Sequence, residues 1–184
     1  MSRLRISTRD DAPAASKPVL DAVYRRLGLV PNVSRLMGSS PAALGGFAAL
    51  HEGLSAALDP KTRERIALAV AQLNGSDYCL SAHSYTATNF AKLPPDEIAL
   101  NRKGRSKDAK AEVAVKFAVT VVERRGHVAD TDIKHMRLAG YDDAQIVEII
   151  ALIAENIFTN YLNGVAKTDI DFPVVRADAD GSTD

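Results

Sequence analysis

The sequence predicts an all-α protein built as one domain. Three observations carry that expectation. Apolar residues recur at spacings of three and four, cap-then-proline pairs punctuate the chain at helical intervals, and strand-like alternation is nearly absent. At 184 residues the chain is long enough for one full core and too short for two large domains. The expected organisation is an N-terminal arm over 1–16, a single helical domain over 17–175 and a flexible acidic tail over 176–184.

The elements follow in order. A first helix over 17–27 places Leu20, Val23 and Leu27 on one face, after which Pro31 and Asn32 turn the chain into a short segment ending at Gly38. Ser40 before Pro41 is an N-cap with proline at the first helical position, and Leu44, Phe47, Leu50, Leu54 and Leu58 form the expected buried stripe. Asp59 and Pro60 repeat that start, with Ile66, Val70 and Leu73 facing inward and Gly75 as a left-handed stop. A new helix restarts at once, capped by Ser76 or Asp77, carried on by Leu80, Ala87 and Phe90, and ended by Pro94 and Pro95. The pair reads as a tight helical hairpin.

A short helix over 95–101 leads into one over about 106–125 that is apolar nearly all round, so it is expected to be the central helix. Asp130 opens a further short helix that closes at Gly140. Asp142 with Gln145 has the capping-box spacing for the last long helix, whose seam is Ile146, Ile149, Ile153, Ile157 and Tyr161. That helix is rich in β-branched residues with weak helix preference, so tertiary or subunit packing must support it, and a homo-oligomer is expected. The segment 169–175 reads as extended.

Composition narrows the function classes. Lys+Arg and Asp+Glu both count 23, which gives no basic field for nucleic acid. The longest apolar run, 149–154, is far below a bilayer span of roughly 20 residues, so no membrane role is expected. The first sixteen residues lack the apolar core of a secretory signal, and the single cysteine cannot close an intrachain disulfide; both point to the cytoplasm. No cofactor or metal site is expected, and His51, His127 and His135 read as surface, turn or interface groups.

The chemistry concentrates at Glu64, Ser76, Cys79 and His83. Cys79 and His83 are four apart, so on one helix they share a face. At about 1.5 Å per residue, Glu64 lies about 15 Å down one arm of the hairpin and His83 about 10 Å down the other, which brings carboxylate and imidazole near one level. Cys79 falls in the first turn of its helix, where unpaired N–H groups favour thiolate. A thiolate there could attack a hydroperoxide, with His83 or Glu64 delivering the proton to the departing alkoxide.

Read as E-x11-S-x-x-C-x3-H, residues 64–83 (ERIALAVAQLNGSDYCLSAH) resemble the alkyl hydroperoxidase D signature E-x11-C-x-x-C-x3-H, with Ser76 in place of the first cysteine. Residues 29–34 (LVPNVS), 144–163 and 165–173 (VAKTDIDFP) extend the resemblance to the peroxidase-related branch of that family. The resemblance implies the oligomeric all-helical fold shared with carboxymuconolactone decarboxylases. It also implies reduction of small hydroperoxides with a thiol, dithiol or lipoyl-bearing protein as electron donor. By position it makes Cys79 the peroxidatic thiol, Ser76 the place of its redox partner, and Glu64 with His83 the proton relay. Tyr78 stands where some members carry a further histidine, and tyrosine does not titrate near neutrality.

A serine cannot close a disulfide, so the resemblance implies a cycle that stalls after oxidation or draws on an outside thiol. The serine fits a natural one-cysteine variant, a redox-silent oligomeric paralogue or an introduced substitution. A decarboxylase or lactone-processing enzyme is the alternative, with His83 and Glu64 doing acid and base work beside an incidental thiol. Asn156, Asn160 and Asn163 read equally as pocket or subunit-contact residues and as a polar helix face with Gln145 and Glu148. The cluster Arg102, Lys103, Arg105 and Lys107 reads as a solvated loop.

Overall fold

The computed structural model describes residues 2–177. The acidic tail expected from the sequence lies outside the described residues except for Arg176 and Ala177. Among the described residues the regular structure is entirely helical: α1 (Lys17–Leu27), α2 (Asn32–Met37), α3 (Pro41–Ala57), α4 (Pro60–Leu73), α5 (Asp77–Asn89), α6 (Pro95–Arg102), α7 (Ala109–Glu123), α8 (Asp130–Leu138) and α9 (Asp143–Ala166), after a 3-10 turn at Ala14–Ser16.

The caps form as their residue types demand. Ser40, Asp59, Asp108 and Asp142 each accept a hydrogen bond from the backbone N–H three residues on, and Gln145 completes the capping box of α9. Asp108 therefore starts α7 later than the apolar pattern alone suggested.

The centre of the molecule is α4 rather than α7. Residues 65–71 are all buried, and α4 packs against α5, α6, α7 and α9. The sequence pointed to α7 because valines surround it, but Val113, Val119, Val121 and Val122 are only partly buried at the flank of the core. Small residues decide the matter: Ala67, Ala69 and Ala71 let neighbouring helices approach α4 from every side. The expected stripes also run too far at several ends. Leu50, Leu73, Phe90 and Tyr161 are exposed, while Leu44, Leu54, Leu58, Ile66, Val70, Ile146, Ile149 and Ile153 are buried as expected.

The last helix, α9, is by length and composition long and apolar enough to cross a membrane, although its longest uninterrupted apolar run is short. Its inward side packs on α3, α4, α5 and α7.

A buried ion pair ties α4 to α6. Arg65 Nε donates to Glu97 Oε1 at 2.8 Å, and Glu97 also receives Ser106 Oγ, Asn101 Nδ2 and the Lys107 backbone N–H. The loop after α6 is thus wrapped around a carboxylate. It is not the merely solvated loop that its charge run suggested: Arg105 pairs with Glu112 and Lys107 with Asp96. Burial alone would push the Glu97 carboxyl up, but the donors from Ser106, Lys107, Asn101 and Arg65 outweigh it and hold the group at about 2.

Its contribution to stability is present above the ordinary carboxyl value of 4.5 and is lost as pH falls toward about 2. Removing one partner of a buried pair typically costs about 3–5 kcal/mol. Glu97→Ala should destabilise the fold by that order in urea titrations at pH 7, and should flatten the loss of stability between pH 5 and 3. Wild-type stability at pH 7, or an unchanged acid slope, would contradict the assigned role.

Candidate active site

The site begins with the way α4 ends. Gly75 adopts φ 63°, a left-handed conformation that costs other residues more, and the Gly75 and Ser76 N–H groups return to the carbonyls of Gln72 and Ala71. The reversal is so tight that Ser76 closes α4 and caps α5 at once, its Oγ accepting the Cys79 N–H at 3.4 Å. Of the two capping residues the sequence allowed, Ser76 is the one used.

The hairpin brings the expected dyad together. His83 Nδ1 lies 2.9 Å from Glu64 Oε2, and Thr86 Oγ1 donates to the same oxygen at 2.7 Å. Burial would push the His83 imidazole down. The charge and hydrogen bond of Glu64 oppose this, joined by the charge of Glu155 and a hydrogen bond with Asn156, and the group is held above its ordinary 6.5.

Cys79 is buried at 4% exposure in the first turn of α5. Its sulfur receives the Asn163 amide at 3.3 Å and lies 3.9 Å from Thr159 Oγ1. Cys79, His83 and Glu64 all line one cavity of about 190 Å³, enclosed by α3, α4, α5, α9, the α1–α2 connection and Phe172. The sulfur therefore has polar neighbours and borders the same cavity as the imidazole, while the residue also packs in the hydrophobic cluster of Leu68, Ala71 and Leu80.

Tyr78 also borders the cavity, but its hydroxyl is held by structural partners. It donates to Asp171 at 2.8 Å and accepts the Val33 N–H at 3.0 Å, and burial together with Asp171 pushes its pKa up from the ordinary 10, further from neutrality. The same tyrosine anchors a strap, residues 169–177, across the start of α5. Asp171 accepts the Asn32 N–H, Ser81 receives the Val175 N–H, and Asp77 binds Arg176 and Ala177. Phe172 is thereby laid over the cavity.

The last helix supplies the opposite wall. Leu152, Glu155, Asn156, Thr159 and Asn163 recur at spacings of three and four on the face of α9 that meets the cavity. Asn156 and Asn163 are pocket residues, whereas Asn160 receives the Asn74 amide at 2.9 Å.

One sequence expectation is overturned. His51 is a cavity residue, its Nδ1 2.7 Å from Glu155 Oε1 and its ring stacked on Phe47. Glu155 comes from a helix 104 residues away, so no local spacing could show the pair. The visible signal was Glu155 itself, a lone acid in an apolar stretch. His127 and His135 are exposed, as expected. Among the described residues, no group of three or more His, Cys, Asp or Glu side chains is gathered as a metal-ligand set.

Comparison with known proteins agrees with this architecture. Residues 41–118 match the carboxymuconolactone decarboxylase family. The fold matches the alkylhydroperoxidase AhpD core of an uncharacterized peroxidase-related protein from Ralstonia eutropha, at 23% identity, 92% coverage of each chain and a TM-score of 0.82. It also matches an uncharacterized peroxidase-related protein from Silicibacter sp. (22% identity, 91% of each chain, TM-score 0.79) and the debrominase Bmp8 (24% identity, 92% of this chain and 91% of that one, TM-score 0.74). No curated protein sequence matches significantly. The family match thus takes in the hairpin that carries the site, and along nine-tenths of its length the chain shares the all-helical fold of the alkylhydroperoxidase AhpD core.

Proposed function

We propose that the protein is a one-cysteine thiol peroxidase in which Cys79 reduces small hydroperoxides and the Glu64–His83 dyad supplies the proton. The carrying observation is that sulfur and imidazole share one small cavity while the imidazole is held by a carboxylate at 2.9 Å. Thiolate sulfur attacks one peroxide oxygen, an S–O bond forms as the O–O bond breaks, and the departing alkoxide takes a proton from the His83 imidazolium. The products are a sulfenic acid and an alcohol.

Asn163 favours the first step by donating to the sulfur, since a hydrogen bond to an anionic atom is stronger than one to a neutral thiol. Resolution requires an external thiol or dithiol, a lipoyl protein being one such donor. The thiol sulfur displaces water from the sulfenic acid, and a second thiol then reduces the mixed disulfide. Ser76 serves as a helix cap in place of a resolving cysteine.

A second reading keeps the dyad and drops the sulfur: acid and base catalysis of a decarboxylase or lactone-processing type. The observation favouring it is that the dyad is complete without Cys79. The fold similarity to a debrominase adds that this architecture is not confined to peroxide chemistry.

As to assembly, we propose a homo-oligomer formed through the outer face of α9, where Val147, Ile150, Phe158, Tyr161 and Val165 stand exposed in one helical stripe. Light scattering should give a multiple of 19.7 kDa that Tyr161→Glu reduces; a monomer at all concentrations contradicts the assembly.

Stopped-flow oxidation of the reduced protein by hydrogen peroxide and cumene hydroperoxide tests the function. The proton donor is present below the raised His83 value, so the falling limb of the rate profile should lie above pH 6.5. Glu64→Gln should move that limb to lower pH. His83→Ala should slow oxidation by about 10²- to 10⁴-fold. Ser76→Cys should gain multiple turnover with a dithiol while losing about 1 kcal/mol of stability with its cap. A rate indifferent to His83, or activity on a lactone that survives Cys79→Ala, would overturn the peroxidase assignment in favour of the second reading.

A further inference from the structure

The cavity holds a second imidazole–carboxylate pair, which takes no direct part in the peroxide step although the Glu155 charge supports the His83 imidazolium. Arg26 Nη2 lies 3.1 Å from His51 Nε2, and His51 Nδ1 lies 2.7 Å from Glu155 Oε1. A guanidinium only donates, so Nε2 accepts and the ring proton sits on Nδ1, aimed at Glu155. His51 Nδ1 is thus turned as a donor toward Glu155, and stacking on Phe47 at 5.9 Å and 14° holds the ring plane. Both ring nitrogens are engaged within the protein, so its task is to hold Glu155.

Glu155 is then satisfied on one side only. Its side chain is 7% exposed and lines the cavity, yet Oε2 is buried without a hydrogen-bond partner among the described residues. A buried acceptor left in that state is costly, and native structures rarely retain one without a ligand or ordered water to meet it. The carboxylate has been oriented by His51 and Arg26 with one lone-pair site unfilled.

We propose that Glu155 Oε2 is the acceptor of a substrate subsite, selecting small, largely apolar molecules that carry a neutral O–H or N–H donor. The inference rests on the reading of this cavity as the place where Cys79 meets its substrate. The donor group docks on Glu155, the apolar body lies along Phe47 and Leu152, and the reacting end faces Cys79 and His83. A neutral donor fits better than a cation because Arg26 and Arg63 stand beside the pair. Size fits too: about 190 Å³ lies below the roughly 300–1,000 Å³ of ordinary drug-sized sites, which excludes long acyl chains.

The discriminating probes are phenol and toluene, which match in shape and differ in the donor. Affinity is read by NMR titration of the reduced protein without peroxide, so the result is independent of sulfur oxidation. Phenol should bind at least about ten-fold tighter than toluene, although toluene is the more apolar. Glu155→Gln keeps an oxygen for His51 and turns an amide N–H₂ toward the ligand, so the preference for phenol should vanish with the thermal midpoint checked alongside. Equal affinities in the wild type, an unchanged ratio in Glu155→Gln, or no phenol binding at millimolar concentration each overturns the subsite. A phenol preference beside a Cys79 inert to peroxide would reject the peroxidase and leave the subsite standing.

Discussion

The carboxylate of Glu64 and the imidazole of His83, held 2.9 Å apart across the turn between α4 and α5, are the contact on which the site depends. They meet because one glycine reverses the chain without a spacer and one serine starts the next helix at the residue where the last one closes. The cavity floor, the position of Cys79 and the placement of α9 follow from that hairpin, since α9 packs against both of its arms. Burying charged groups in this place is tolerable only because each has a partner: Glu64 has His83 and Thr86, Glu155 has His51, and Glu97 has Arg65.

The polar groups are arranged by depth. Glu97 and Arg65 lie at the far side of α4 and lock the hairpin to α6. Glu64, His83, Cys79 and Asn163 line the cavity, and the strap over residues 169–177 closes it with Phe172. The strap is fastened by Tyr78 and Asp77, the two residues before Cys79, so the first turn of α5 both carries the sulfur and anchors its cover. In this setting Ser76 is structurally complete as a cap, and the absent second thiol leaves no local distortion to repair.

Local chemistry made much of this legible. Proline after Ser40 and Asp59, glycine at 75 and the Asp142–Gln145 pair are short-range signals, and the helices they delimit appear where those residues place them. The encounter of Glu64 with His83 was legible for the same reason: a tight turn converts sequence distance into height along two antiparallel helices. Glu155 with His51, Asn163 with Cys79 and Asp171 with Tyr78 were not, because each joins segments more than 80 residues apart whose relation is set by packing alone. The misjudged centrality of α7 has a similar cause, for hydrophobicity identifies what wants burial, while the small side chains of α4 determine which helix neighbours can surround.

The central claim is that this cavity turns a buried sulfur into a peroxide-reactive one, and covalent trapping tests it most directly. The reduced protein would be treated with one equivalent of hydrogen peroxide in the presence of a sulfenic-acid-selective probe, and the adduct mapped by mass spectrometry. The account predicts labelling at Cys79 that His83→Ala strongly slows. A Cys79 left unmodified while a control protein thiol is oxidised in the same tube would contradict it.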